Sequence, residues 1–214
     1  RSELKEKAPD NKLIHRQNRF RVEAEIIRDL HLAASSLLTD KVGGPSVFPP
    51  LPAGVAALSY ANNLKWNTSK NADRYRRGMY TFFKRTSPHP NLTTFDCPDP
   101  NVTCVKRSRS NTPLAALATL NNSVFAEAAK AMAKRVIKEK PDDASRIELC
   151  FRLCVARPPT PDEHAAFAGL LKSAREYYRS HKPEAKAYNG NPEASTWAAT
   201  ARIMLNMDEF ITRE

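Results

Sequence analysis

Apolar residues recur every three or four positions through most of this chain, a spacing that predicts helix rather than strand. Phe20, Ala24, Ile27, Leu30, Ala34 and Leu37 make the first stripe, with Arg21 and Glu25 as an i,i+4 pair on its wet side. Asp40 and Gly43-Gly44-Pro45 close it. Residues 43–70 then hold Pro45, Pro49, Pro50 and Pro52 among Gly and Asn, which favours extended and turning backbone. A loop of that length in a compact domain usually carries function or covers the core.

The pattern shortens at Gly78–Arg85, which predicts a brief strand or extended piece bounded by Ser87-Pro88-His89-Pro90. Helix then resumes. Thr112 is a cap with Pro113 at the first helical position, leading into a stripe of Leu114, Leu117 and Leu120. Asn121-Asn122-Ser123 restarts it as a helix with Phe125, Ala128, Met132 and Val136 inward. Ile147, Cys150, Phe151 and Cys154 mark the next. Thr160-Pro161-Asp162-Glu163 combines a cap, a proline and the acid of a capping box, and precedes Phe167, Leu170, Leu171, Ala174 and Tyr178. Asn191-Pro192-Glu193 opens a last helix through Trp197, Ala201, Met204 and Leu205. Repeats of fixed period and strand–helix alternation are both missing. The expected fold is mainly α: one irregular helical domain over residues 1–214, with long Pro/Gly/Asn-rich loops and at most a short extended or hairpin element near 78–110.

Charge sharpens this picture in one place. The 214 residues carry 34 Lys+Arg against 23 Asp+Glu, and the excess of +11 is concentrated in residues 1–112, with 19 cations and 10 acids. Arg74 to Thr86 alone holds five cations, four aromatics and no acid. Such a field attracts anionic polymers or an acidic partner. Two readings of these arginines stand side by side. They form an exposed docking face, or they act as internal clamps on acids such as Glu23, Glu25, Asp29, Asp96 and Asp208, since the planar guanidinium suits both uses. No run approaches the ~20 apolar residues that cross a bilayer.

Catalytic motifs are thin. His15, His31, His89, His164 and His181 stand singly, and His89 draws attention because it sits between two prolines beside the basic-aromatic segment. Nucleophile elbows, phosphate-cradling loops and dinucleotide fingerprints are missing from a chain with only six glycines. Asp96 and Asp99 read as turn-forming residues. Cys97 and Cys104 flank a proline-rich loop whose turns are compatible with the ~5.5 Å Cα separation of a disulfide, in an oxidising compartment; free thiols are the alternative. Cys150 and Cys154 share one helix face and read as buried thiols. The four cysteines lack zinc-site spacing, and the chain has no motif for attaching haem c. No metal or cofactor is expected in it.

Several pieces in order resemble one family: Arg21–Asp29, Gly43-Gly44-Pro45-Ser46-Val47, Tyr75–Tyr80 with Lys84-Arg85-Thr86, and Leu92–Asp96. The series continues with Arg107–Leu114, Phe151-Arg152-Leu153, Arg157–Pro161 and Leu205–Phe210. The chain resembles the planctomycetal cytochrome-associated C-terminal domain of unknown function, over essentially its whole length. The resemblance implies an extracytoplasmic protein, which favours a Cys97–Cys104 bridge. It also implies a c-type cytochrome domain upstream on the same polypeptide, with haem c held there. The start at Arg1, without Met or an apolar leader, fits the C-terminal part of something longer. Relatives that carry lectin-like sandwiches point to polysaccharide.

The expected function is therefore a non-catalytic interaction or scaffolding domain that docks an acidic partner or an anionic glycan. The candidate binding residues are Arg76, Arg77, Tyr80, Lys84, Arg85, His89, Arg107 and Arg109. The alternative is part of a haem-assisted redox or hydrolytic enzyme acting on carbohydrate. Nucleic acid fits the charge but not an exported protein.

Overall fold

The run of inward positions from Val124 to Val136 forms the helix around which the others gather. The computed structural model describes residues 6–213 except 13, 16, 53, 54 and 56–64. Among them, helix α1 spans Ala24–Ala34, α2 Pro90–Thr94, α3 Pro113–Asn121, α4 Ser123–Glu139 and α5 Asp143–Val155. Four more follow: α6 Pro161–Ser180, α7 Lys182–Asn189, α8 Pro192–Met204 and α9 Asp208–Ile211. Strands β1 (Phe20–Arg21) and β2 (Thr212–Arg213) pair antiparallel, Phe20 opposite Arg213. The fold is mainly α.

Capping fixes where the helices begin. Thr160 and Glu163 exchange the two bonds of a capping box at α6, and Asn122, Asp142 and Asn191 accept from the first-turn amides of α4, α5 and α8. The starts of α4, α6 and α8 match the residues the sequence marks for them, whereas the Asp142 cap of α5 was not marked. α4 and α8 make the most extensive helix pair. Alanines on both (Ala128, Ala129, Ala133; Ala198, Ala201) are wholly buried and let the backbones approach. Larger side chains fill the space beside them: Ile27, Phe95, Phe125, Met132, Phe151, Trp197 and Phe210 belong to one continuous core. Truncating one of its aromatics to Ala should cost about 3–5 kcal/mol.

Two helices depart from the expected burial. In α6 only Leu171 is fully buried, so most of this long helix covers the surface. In α3 the leucine stripe points the other way. Ala115 and Thr119 face the core, while Leu114 is 67% and Leu117 53% exposed. A nine-residue helix without a charge offers no polar face to tell in from out, so small side chains take the tight side.

Of the brief strand or extended piece expected at 78–85, Gly78–Tyr80 is instead a 3-10 turn, following another at Asn71–Tyr75. The cause is local. The Gly78 amide donates to Asp29 Oδ1 at 2.6 Å, drawing the chain onto α1 and away from a ladder. What remains extended makes isolated bridges, Thr39 with Arg76 and Val47 with Thr81.

The Cys97–Cys104 bridge is also corrected. Both are free thiols, Cys97 half-buried against the core and Cys104 exposed. The Cys97 amide donates to Leu92 O at 2.8 Å, closing the end of α2 and holding Cys97 inward. The intervening loop turns instead about Asp99, whose carboxylate accepts from the Asn101 amide at 2.8 Å. Cys150 and Cys154 are buried on α5, as their spacing implies, and burial pushes the Cys150 thiol up to about 12.

Candidate functional site

The basic-aromatic segment divides into side chains that hold the fold and side chains left over. Arg76 is 1% exposed and has no acidic partner among the described residues. Its guanidinium donates to the carbonyls of Pro45 (3.0 Å), Lys41 (3.3 Å) and Gly43, and lies 3.8 Å from the Tyr80 ring centroid. Carbonyl dipoles and a π face thus stand in for a counter-ion and tie down the loop that ends the first helix. Tyr80 adds its hydroxyl, which accepts from the Gly43 amide at 2.8 Å. Arg28 of α1 does similar work from the other side. It donates to Arg74 O at 2.7 Å and Arg76 O at 3.2 Å, and burial lowers its pKa to about 10.

Acids take up most of the other cations. Arg77 pairs with Asp29 at 2.9 Å, and Arg74 holds Glu127 on α4. Arg107 binds Glu25 through two nitrogens at 3.0 and 2.8 Å and Glu23 at 2.7 Å. Arg109 reaches Glu23 at 3.3 Å and lies over the Phe20 ring. Burial alone would raise the Glu25 carboxyl, but bonds to Arg107 outweigh it and keep it below the usual range. Arg21, almost fully buried, donates to Asp96 at 2.5 Å and to Phe95 O at 3.1 Å. Asp96 also accepts from the Ser110 amide at 2.6 Å, so it fastens 96 to 110 as well as the turn it was expected to form.

His89 is buried and serves two ends of the backbone. Its Nδ1 accepts from the Asn91 amide at 3.2 Å, capping α2, so the ring proton sits on Nε2 and is donated to Pro50 O at 3.1 Å. Burial drives its pKa down to about 4, against the Pro50 bond. Phe48, Trp66 and Phe82 complete the cluster: Phe82 stacks on Phe48 with centroids 4.7 Å apart, and Trp66 stands 5.6 Å from His89. The segment thus turns Phe82 inward and leaves Phe83 outside.

What is left over lies together. Lys84, Arg85 and Lys106 have no acidic partner among the described residues, and Arg85 bonds only the Asn101 side chain at 2.7 Å. Six of the ten large hydrophobics exposed on the described surface fall between 79 and 117: Met79, Phe83, Val102, Val105, Leu114 and Leu117. Of these, Met79 and Phe83 line cavities on this side of the molecule. Three cavities run through it. One, of about 400 Å³, is bounded by Phe83, Arg85 and Cys97 to Asn101. The second, about 330 Å³, adds Met79 and Leu92 and shares Phe83 and Pro98 with the first. It adjoins the third at Arg107, an open hollow of about 800 Å³ bordered by Phe20, Glu23 and Lys106 to Arg109. The result is a trough in which Met79, Phe83, Leu92 and Pro98 lie between cations toward both ends, with Glu23, Glu25 and Asp99 also on its wall.

Of the sequence-predicted residues, the structure brings Arg85, Arg107 and Arg109 to this trough, with Lys84 between Phe83 and Arg85. It places Arg76, Tyr80 and His89 inside the fold and Arg77 on Asp29. Met79, Phe83, Pro98 and Lys106 were not among those singled out. The exposure of Met79 and Phe83 follows the turn at Gly78, which no periodicity announces.

A family model covers residues 1–171: PSD1, described as a protein of unknown function (DUF1553). The chain belongs to the PSD1 family. No curated protein matches the chain, and no solved structure matches it. For this PSD1 chain the site must therefore be read from its own geometry. Among its described residues no group of three or more His, Cys, Asp and Glu is gathered as for a metal ion, and no helix is long and apolar enough to cross a membrane.

Proposed function

We propose that this PSD1 domain is a non-catalytic docking module whose trough receives an acidic segment of a partner protein bearing apolar side chains. The observation that carries this reading is the meeting, along one trough, of the exposed Met79 and Phe83 with Arg85 and Lys106, neither of which forms an ion pair among the described residues. Clustered exposed apolar side chains mark interaction surfaces, and the surrounding positive charge selects the sign of the partner. The internal arginine clamps support it from beneath, because they hold four loop segments rigid with little regular secondary structure. In this reading the partner segment belongs to another part of the same polypeptide or to an associated cytochrome c domain, outside the cytoplasm.

Fluorescence anisotropy tests the reading with two probes, an acidic peptide carrying Leu and Phe and a polyuronate chain. The peptide should bind, weaken as salt rises from 20 to 200 mM because screening shortens the reach of the cations, and weaken further with Met79→Ser/Phe83→Ser. Preference for the polyuronate, unaffected by those two substitutions, would move the site to an anionic glycan. Binding of neither probe would overturn the proposal.

A further inference from the structure

The first of the three cavities holds an arginine that is oriented but not satisfied. Arg85 Nε donates to Asn101 Oδ1 at 2.7 Å, and its two terminal nitrogens have no hydrogen-bond partner among the described residues. Asn101 is itself fixed, because its amide and its Nδ2 both donate to Asp99 Oδ1 at 2.8 Å. Pro98 and Pro100 flank Asp99 and limit its backbone freedom. Two hydrogen-bonded steps thus run from a stiff turn to the guanidinium, setting its plane and leaving its outer edge unused.

Arg85 borders the hollow of about 400 Å³ together with Phe83, Pro88, Pro98 and Pro100. A free guanidinium edge binds a carboxylate through two parallel bonds, a geometry that an ammonium cannot offer. Asp99 shares the wall. Bonds from Asn101, aided by the nearby Arg85 charge, hold its carboxyl below the usual range, so it stays ionised. It forms no ion pair with Arg85 among the described contacts, and its charge opposes the crowding of several acids into the hollow. The chemistry that fits is one carboxylate beside an apolar body.

Resting on the docking reading above, we infer that this hollow is the anchor of the trough: Arg85 takes a single carboxylate of the partner segment in bidentate fashion, while an adjoining apolar side chain packs on Phe83 and Pro98. The carboxylate comes from the C-terminus of that segment or from an acidic side chain next to an apolar one. Because Arg85 is oriented in advance, little ordering is left to the encounter on this side. Phe83 and Pro98 also line the second cavity, so the anchored segment continues past Met79 toward Lys106.

Fluorescence anisotropy on the 214-residue chain tests this with one acidic peptide ending in Glu-Leu-Phe, prepared as the free acid, as the C-terminal amide, with that Glu changed to Gln, and with both changes. The free acid should bind, and Arg85→Gln should weaken it about tenfold with unchanged thermal stability, since the side chain is exposed. Arg85→Lys keeps the charge but not the fork and should lose most of the same affinity. Asn101→Ala, which releases the guanidinium, should weaken binding by a smaller factor. A tenfold loss on amidation assigns Arg85 to the C-terminus, and the same loss on the Gln change assigns it to the acidic side chain. In either case the peptides should become equal on Arg85→Gln. Indifference to both peptide changes, a difference that persists in Arg85→Gln, or full affinity in Arg85→Lys would overturn the anchor and leave the docking trough standing. Failure of all four peptides to bind would overturn the docking reading itself.

Discussion

Gly78 lies against the backbone of Glu25 so closely that a Cβ would stand 2.7 Å from the Glu25 Cα, inside any permitted contact. The neighbour is main chain in a helix and cannot swing away. Gly78→Ala should therefore push the 76–80 turn off α1 and break the Gly78–Asp29 bond together with the Arg77–Asp29 pair. A loss of about 3–5 kcal/mol is expected, at the upper end for a single substitution. Urea unfolding measures it; a change under 1 kcal/mol would contradict the geometry.

Arg76 should tolerate neither Lys nor Met. Lys brings one ammonium where a planar fork spans three carbonyls and covers Tyr80, and Met leaves those carbonyls buried without donors. We expect about 2–4 kcal/mol for either, with faster hydrogen exchange at Gly43. Because the clamp holds Tyr80 beside the trough residue Met79, peptide affinity of the residual folded protein should fall as well.

Acid should weaken the fold through two histidines. Burial lowers both His31 and His89 to about 4 in the folded protein, against ~6.5 when unfolded. Between these values the unfolded chain binds more protons, so stability rises with pH. It is complete above pH ~6.5, falls as pH drops toward 4 and levels off below, by roughly 3 kcal/mol for each ring. His89→Asn keeps an N-cap acceptor for α2 and should remove about half of that slope. Denaturation at pH 7.5, 5.5 and 4.5 gives the comparison; an unchanged slope would show that His89 charges without cost.

Arg107 and Glu25 should be energetically coupled. Arg107→Ala and Glu25→Ala each strand a half-buried partner, whereas the double variant removes both, so a thermodynamic cycle should return about 1–2 kcal/mol of interaction. The coupling should persist at 0.5 M salt, since the pair is only partly exposed to screening ions. Additive losses would demote the pair to a surface contact.

Helices were legible in the sequence because caps and period act locally. Thr160-Pro161-Asp162-Glu163 contains every group its capping box uses, and Trp197, Ala201 and Met204 face inward as their spacing requires. The clamp reading likewise anticipated Asp29, Glu23 and Glu25 as partners of arginines, but Asp96 is held by Arg21, which was expected on the wet face beside Glu25 and is buried instead. The loops were not legible. Whether Phe82 or Phe83 points inward depends on a turn set by Asp29, some fifty residues away. Leu114 and Leu117 look like core in any window, and only the position of α3 relative to α4 and α8 turns them out. A disulfide was expected from the span of its loop, but Cys97 is committed to the end of α2.

The antiparallel pairing of Phe20–Arg21 with Thr212–Arg213 brings together two stretches of chain separated by almost the entire domain. Polypeptide fused before the first strand and after the second would leave the molecule side by side, like the two leads of a plug. A domain wired in this way can sit within a longer chain without lengthening the distance between what flanks it. A donor and an acceptor dye placed at Asn18 and Arg213 should report high energy transfer in the folded protein and lose it in one step on unfolding.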